Sequence, residues 1–388
     1  MHKVLVLDAQ MRSSLAVIRS LGKEGLDVTA GEETRFATGL FSKYCRHKII
    51  YPSPKKDCDN FIKCLCKVLK SENYDVLFPV ADACLKPIID NQLEISQYTK
   101  IALPSRNIFL KAYDKGETLK IAIDNNIPCP KTLLIDNMDM LNDLTDKLSF
   151  PLLIKPRVSS GRRGIEICTS YKELKDKTEL LLKEYGGLLF QEYIPYGGEF
   201  GVYTLLNYAS EPRALSVQKR IRSYPIAGGP STLRETFKDD TSTNAVEVAF
   251  KLLKAMGWIG AAMVEFRIDA RDGTPKLMEV NPRFWGSLQL SILAGMDFPY
   301  MLYRMYMDGD VQPAFDYREG VKCRWLLPGD ILWFLSAPKS LQTLKEFLTF
   351  NMPDDIISIN DFGPTVGFVL ATGRHLFDKE MWKFVLRR

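Results

Sequence analysis

Residues 262–283 constrain this chain more than any other stretch. The run Ala262-Met-Val-Glu265-Phe-Arg-Ile-Asp and the run Lys276-Leu-Met-Glu279-Val-Asn281 flank Asp272-Gly273. Asp-Gly between two alternating runs is a hairpin signal, because these residues accept the backbone angles of a tight turn. With an odd-length turn centred on Asp272, residue 270 faces residue 274, and counting inward sets Glu265 opposite Glu279. A two-residue turn would shift that register. Side chains alternate along a strand, so Glu265, Glu279 and Asn281 share one face, with Val264, Phe266, Met278 and Val280 on the other. Two carboxylates held that close repel, and a divalent cation resolves the conflict. A polar strand face turned to solvent is the other explanation, although such faces normally mix charge signs across strands.

Any metal here should have oxygen ligands, hence be a hard cation. The three histidines (2, 47 and 375) leave little for a Ser-His-Asp or multi-histidine metal mechanism. The eight cysteines form no Cys-x-x-Cys pair and have no histidines at zinc spacing, as expected of free thiols in a reducing compartment. A net charge of +5 over 388 residues falls short of a nucleic-acid signature. It fits a pocket that needs Lys and Arg for phosphates, or simply a mildly basic surface. The start, Met-His-Lys-Val-Leu-Val-Leu-Asp, is too short a run for a signal-peptide core, and Trp325–Ala337 is broken by Pro328, Gly329 and Asp330. A cytoplasmic protein without a transmembrane segment is expected.

Strands are expected at 3–7, 26–30, 75–80 and 100–103, with helices starting at Ser13 or Ser14 and running over 59–71. This alternation argues for an open parallel α/β unit over 1–105. Its first turn, Asp8-Ala-Gln-Met-Arg-Ser-Ser, lacks the Gly-x-Gly-x-x-Gly of a dinucleotide site. A charged helix is expected over 111–126, ended by the prolines at 128 and 130. A smaller mobile lobe is expected at about 132–192, a unit ending near 310, and a helical, aromatic extension over 311–388. In that extension Trp325, Trp333, Phe334, Trp382 and Phe384 would pack in a core, or alternatively dock a partner or membrane.

Further motifs precede the hairpin. Asp114-Lys115 sits before the Ile-Pro turn. Phe150-Pro-Leu-Leu-Ile-Lys155-Pro-Arg-Val-Ser-Ser160-Gly161-Arg-Arg-Gly164 presents a lysine from a β-run, then a loop able to turn N–H groups toward phosphate. An ordinary surface hairpin explains that stretch as well. Gln191-Glu192-Tyr193-Ile194 ends an apolar strand and offers backbone groups to a base edge, with Glu199 placed for a ribose hydroxyl; strand, turn and strand is the plain alternative. Arg220 and Arg222 would share a strand face as a carboxylate clamp beside a close-fitting loop at Gly228, Gly229 and Ser231, or else lie solvated.

In this order and spacing these residues resemble the ATP-grasp superfamily from about 3 to about 310, above all Met-Glu279-Val-Asn281-Pro-Arg283 preceded by Glu265. The resemblance implies a fold of α/β and α+β class. A preATP-grasp open parallel α/β domain (1–105) would precede a two-lobed ATP-grasp fold (106–310) and a small C-terminal region. It implies Lys115 and Lys155 on the ATP phosphates with the 157–164 loop, including Ser160, Gly161 and Gly164, closing over them. It implies Gln191, Glu192, Tyr193 and Ile194 at the adenine, Glu199 at the ribose, and Glu265, Glu279 and Asn281 on Mg2+, for which Mn2+ can substitute. Arg283, with Lys155, would steady the activated intermediate. The chain looks most like the stand-alone carboxylate–amine ligases, with carboxylating, kinase-like or non-catalytic regulatory members as alternatives. It has one copy of the motif set, unlike carbamoyl-phosphate synthase, and Ser-Ser-Gly-Arg-Arg-Gly where biotin carboxylase has a long glycine run. Expected partners are a small carboxylate and an amine, with a homodimer allowed.

Overall fold

The computed structural model describes residues 2–142, 148–159, 161, 163–226 and 228–375. The first sheet is parallel, in the order β3-β2-β1-β4-β5: β1 Lys3–Val6, β2 Asp27–Glu32, β3 His47–Ile50, β4 Val76–Phe78 and β5 Lys100–Ile101. Val4, Leu5 and Val6 are fully buried, as a short unbroken apolar run between helical layers must be. Edge strand β3 escapes sequence reading because His47, Lys48 and Ile50 are exposed, leaving no apolar pattern.

Helix Arg12–Lys23 begins before the expected serine cap, with Met11 at its N-cap. Ser13 and Ser14 lie inside and buried, and the Ser14 hydroxyl donates to the carbonyl of Leu7 at 3.0 Å. The expected single helix over 111–126 is two, Arg106–Tyr113 and Lys115–Asp124. The break is Asp114, whose carboxylate accepts from the Gly116 N–H at 2.8 Å and caps the second helix.

A four-stranded antiparallel sheet, β6-β9-β7-β8, follows: β6 Thr132–Ile135, β7 Leu152–Pro156, β8 Glu166–Cys168 and β9 Leu188–Glu192. Helix Tyr171–Tyr185 covers it, started by Ser170 and burying Leu174 against a separate small core of Ile154, Leu188 and Phe190.

The largest sheet is antiparallel, in the order β14-β13-β10-β11-β12-β15: β10 Tyr196–Leu206, β11 Pro212–Ser223, β12 Ser231–Thr236, β13 Gly260–Asp269, β14 Pro275–Asn281 and β15 Lys322–Arg324. Helix Asp240–Met256, held by an Asp239–Ser242 capping box, packs on β10. The apolar residues of this sheet and of the first sheet form one continuous core.

Beyond β15 the chain folds back over β11, β12 and the first helix. Trp325 lies under Arg12, Trp333 under Arg222, and Phe334 stacks on Phe347 at 4.3 Å; Trp333 is buried, and Trp325 and Phe334 are half-buried. Trp382 and Phe384 lie outside the described residues. Among the described residues no helix is long and apolar enough to cross a membrane.

Candidate active site

The hairpin of β13 and β14 brings Glu265 directly opposite Glu279 and Met263 opposite Asn281. The route differs from the simple count. Beside the turn the pairs are Ile268 with Pro275, Arg267 with Lys276 and Phe266 with Leu277, one residue out of the expected register. A bulge at Met278 restores it. Leu277, rather than Met278, is therefore the fully buried residue beneath Phe266.

The two glutamates are direct cross-strand partners. Burial, and then the charge of Glu279, push Glu265 up to about 7. Burial acts on Glu279 as well, but the charges of Lys115 and Lys155 and the Asn281 amide hold it below its ordinary value. Lys115 Nζ lies 3.5 Å from Glu279, and Asn281 Nδ2 donates to it at 3.2 Å. Among the described residues no cluster of three or more His, Cys, Asp or Glu side chains is placed to hold a metal. Two carboxylates and an amide oxygen nevertheless fit a hard cation that draws its remaining oxygens from a bound phosphate.

Lys155 rises from β7 to the same place. Its Nζ donates to Gln191 Oε1 at 2.5 Å across the small sheet, and it is 8% exposed. Burial lowers its pKa to about 8, against the pull of Glu279 and with the push of Lys115. Lys115, first residue of its helix, donates Nζ to the Ser159 carbonyl at 2.5 Å and its backbone N–H to Arg157 at 3.0 Å. Arg157 was not singled out from sequence, yet it ties the start of the loop to Asp114 through Nη2 at 2.8 Å and Nε at 3.1 Å. Gly161 and Gly164 both have left-handed φ, 65° and 71°. A Cβ at Gly164 would stand 2.6 Å from Pro156 Cγ, so this turn also needs the space. Ser160 lies outside the described residues.

The strand end at 191–194 runs from buried Gln191 past Glu192 and Tyr193 to Ile194, which is fully buried. Glu192 accepts from Arg271 at 2.7 Å and from the Lys131 N–H at 3.2 Å. Glu199 meets two guanidiniums: it accepts from Arg220 Nη1 at 2.9 Å, and from Arg267 Nε at 3.0 Å and Nη2. A ribose hydroxyl reaching Glu199 must share it with these arginines. Arg267, which also reaches the Ile194 carbonyl at 3.4 Å, carries no local sequence signal.

The expected clamp does not form. The β11–β12 ladder slips by one residue between Arg220 and Arg222. Arg220 bridges Glu199, Glu265 (3.1 Å) and the Gly229 carbonyl (3.2 Å). Arg222 is 7% exposed, 3.1 Å from Asp330 and stacked over Trp333 at 4.2 Å. Arg222→Ala should therefore lower thermal stability, by about 1–3 kcal/mol for a buried charge-assisted contact, while Mg-ATP binding by calorimetry stays near wild type. A weakened nucleotide site at unchanged melting temperature would contradict this placement. In the adjoining loop a Cβ at Gly229 would overlap the Tyr224 carbonyl at 1.9 Å, and Gly228 has φ 116°. Ser231 opens β12 and pairs with Ser223. Arg283, two residues past Asn281, forks onto Asp82 at the start of the helix that follows β4, Nε to Oδ1 at 2.7 Å and Nη2 to Oδ2 at 3.3 Å.

Residues 208–327 match a family model described as ATP-grasp in the biosynthetic pathway with Ter operon. The chain is 23% identical to a formate-dependent phosphoribosylglycinamide formyltransferase of Ignicoccus hospitalis, over 69% of this chain and 66% of that protein. It is 21% identical to a D-aspartate ligase of Enterococcus faecium, over 76% of this chain and 73% of the relative. Its fold matches a biotin carboxylase of Campylobacter jejuni, solved as a β-γ-ATP complex, with a TM-score of 0.69 at 16% identity over 82% and 74% of the two chains. Motif and fold agree with that match, and the chain carries an ATP-grasp domain.

Proposed function

We propose that the chain is an ATP-dependent ligase that activates a small carboxylate as an acyl phosphate and joins it to an amine, releasing ADP and phosphate. The observation that carries this is the convergence of Lys115 and Lys155 on Glu279, directly opposite Glu265. Cations and paired carboxylates gathered at one point suit the end of a polyphosphate with its metal. The relative named D-aspartate ligase supports the same reaction class.

Glu265, Glu279 and Asn281 would hold Mg2+, which would supply positive charge against that of the phosphates. Lys155, buried and pre-oriented by Gln191, places an ammonium where negative charge grows during transfer. Lys115 does so from a helix N-terminus, itself favourable to anions, although that helix begins at Lys115 and relies on Asp114 for its cap. Arg220 holds Glu265 and Glu199 in register, and Arg283 stands at the junction with the first sheet, where an acid and an amine can meet the terminal phosphate. In open α/β sheets ligands bind at the carboxyl ends of the strands, which is where Asp82 and Arg12 begin their helices.

The test is phosphate release by purified protein with Mg-ATP against panels of small acids and amines. Release that requires both an acid and an amine is expected. ATP turnover indifferent to every acid would overturn the ligase reading.

A further inference from the structure

One corner beside this site holds more guanidinium than carboxylate. Arg234 is the direct cross-strand partner of Arg220 and is 1% exposed. Its Nη2 donates to Asp355 Oδ1, but among the described residues no acceptor meets its Nε or Nη1. Arg12 donates Nη1 to the other oxygen of the same carboxylate, Asp355 Oδ2, at 2.9 Å, and to the Ser231 carbonyl at 3.3 Å. Its flat face rests on Trp325, 4.0 Å from the ring centre. Its Nε–Nη2 edge lies against Gly286, where a Cβ would stand 2.8 Å from Nη2 and 3.1 Å from Nε. Gly286 has no left-handed φ, and a side chain there would meet the Arg12 guanidinium, which would have to shift.

Two arginines thus share one carboxylate. The neighbouring Asp354 gives little relief, since its oxygens accept from the N–H groups of Leu326, Ile356 and Ile357 and burial raises its pKa. Burial lowers Arg234 too, but Asp355 more than offsets it, whereas Arg12 is dragged down to about 10 by burial despite Asp355. One carboxylate thus faces two guanidiniums: among the described residues Arg234 keeps Nε and Nη1 unmatched, and Arg12 uses only Nη1 in hydrogen bonds. A helix-to-C-terminus tie does not require this. Arg19, two turns along the same helix face, makes such a tie with every nitrogen used: Nε to Asp361, Nη1 to the Asp355 carbonyl, Nη2 to the carbonyls of Ile356 and Asp361. Buried donors without acceptors beside a saturated structural arginine mark a place where an anion belongs.

Resting on the ligase reading, we propose that Arg12, backed by Arg234, determines specificity by receiving a second oxyanion of the substrate acid, remote from the carboxylate that is activated. Gly286 is three residues past Arg283, so the backbone at the two places is at most about 10 Å apart. The acid is then a dianion, a dicarboxylic or a phosphorylated acid.

Acid-dependent phosphate release at saturating Mg-ATP should favour dianionic over monocarboxylic acids of equal length by at least about tenfold in kcat/KM, since a site built for a polar group discriminates strongly against its absence. Whether carboxylate or phosphate is preferred as the second group separates the two sources. Arg12→Gln should erase most of that preference through KM, with Arg12→Lys restoring part of it. Arg19→Gln should lower the melting temperature and leave the preference alone. Calorimetry with succinate and with inorganic phosphate reads the corner without turnover: binding in wild type and loss in Arg12→Gln are expected. Mg-ATP affinity, measured separately, should stay within about twofold in Arg12→Gln, because additivity holds for sites without shared partners. Equal use of mono- and dianionic acids, or an unchanged ratio in Arg12→Gln with Mg-ATP still bound, would overturn the proposal. Failure of wild-type protein to bind Mg-ATP would instead overturn the nucleotide reading beneath it.

Discussion

Glu279→Gln should abolish turnover while leaving much of nucleotide binding in place. Glutamine preserves the size of the side chain and one oxygen, but removes the charge that Lys115 and Lys155 face. It also leaves Glu265 as the one carboxylate of the facing pair. A charge that matters most while the phosphoryl group is in flight is worth more in the transition state than in the bound ground state. A loss in kcat of about 1,000-fold or more, on the order of 4 kcal/mol, is expected. Nucleotide affinity should fall by only about tenfold, on the scale of one charge-assisted contact. Steady-state kinetics beside calorimetry separates the two quantities. A variant with near-normal kcat and poor affinity would place Glu279 outside the reacting centre.

Lys155→Ala should weaken Mg-ATP binding by roughly 1.5–3 kcal/mol, the value of a charge-assisted phosphate contact, and lower kcat with it. The pH dependence gives a second signature. The empty protein holds Lys155 near 8, below its ordinary 10.5, chiefly by burial. Below about 8 the ammonium is already present; above it the amine is neutral and a bound phosphate must recruit a proton. Nucleotide affinity should therefore decline as pH rises through 8, and binding at pH 8.5 should take up a proton. For folding the sign is opposite. Between 8 and 10.5 the unfolded lysine binds a proton that the folded one does not, so the cost of burying the charge, full below 8, is relieved as pH rises. Calorimetry in buffers of different ionisation enthalpy measures the uptake. It should vanish in Lys155→Ala and in Lys155→Arg, and its persistence in either would assign the proton to another group.

The hairpin at 262–283 was legible because its signals are local: Asp-Gly at the turn, alternation on both sides, and carboxylates on one face. The bulge at Met278 was not, since it exchanges Leu277 for Met278 in the core and both are apolar. The same kind of slip misled the reading of Arg220 and Arg222, which alternation places together and the β11–β12 irregularity sends to different partners. Arg157, Arg267, Arg12 and Arg234 gain their meaning from carboxylates or carbonyls 43 or more residues away, such as Asp114, Glu199 and Asp355. No window along the chain contains that information. Lys155 stood out because a lysine beside a glycine-bearing loop has chemistry of its own, and Lys115 only through the resemblance. The parallel sheet was legible from apolar runs alternating with helices, except at β3, whose exposed side chains carry no such run.

The central claim is that charge is gathered for transfer of the terminal phosphate to a carboxylate. The most direct measurement is the nucleotide product in the presence of Mg-ATP, the substrate acid and hydroxylamine in place of the amine. An acyl phosphate is trapped as a hydroxamate, so ADP, phosphate and hydroxamate should appear in equal amounts. AMP and pyrophosphate in their place would show that the acid is adenylated, and would contradict the proposal that Lys115, Lys155 and the paired glutamates serve the γ-phosphate.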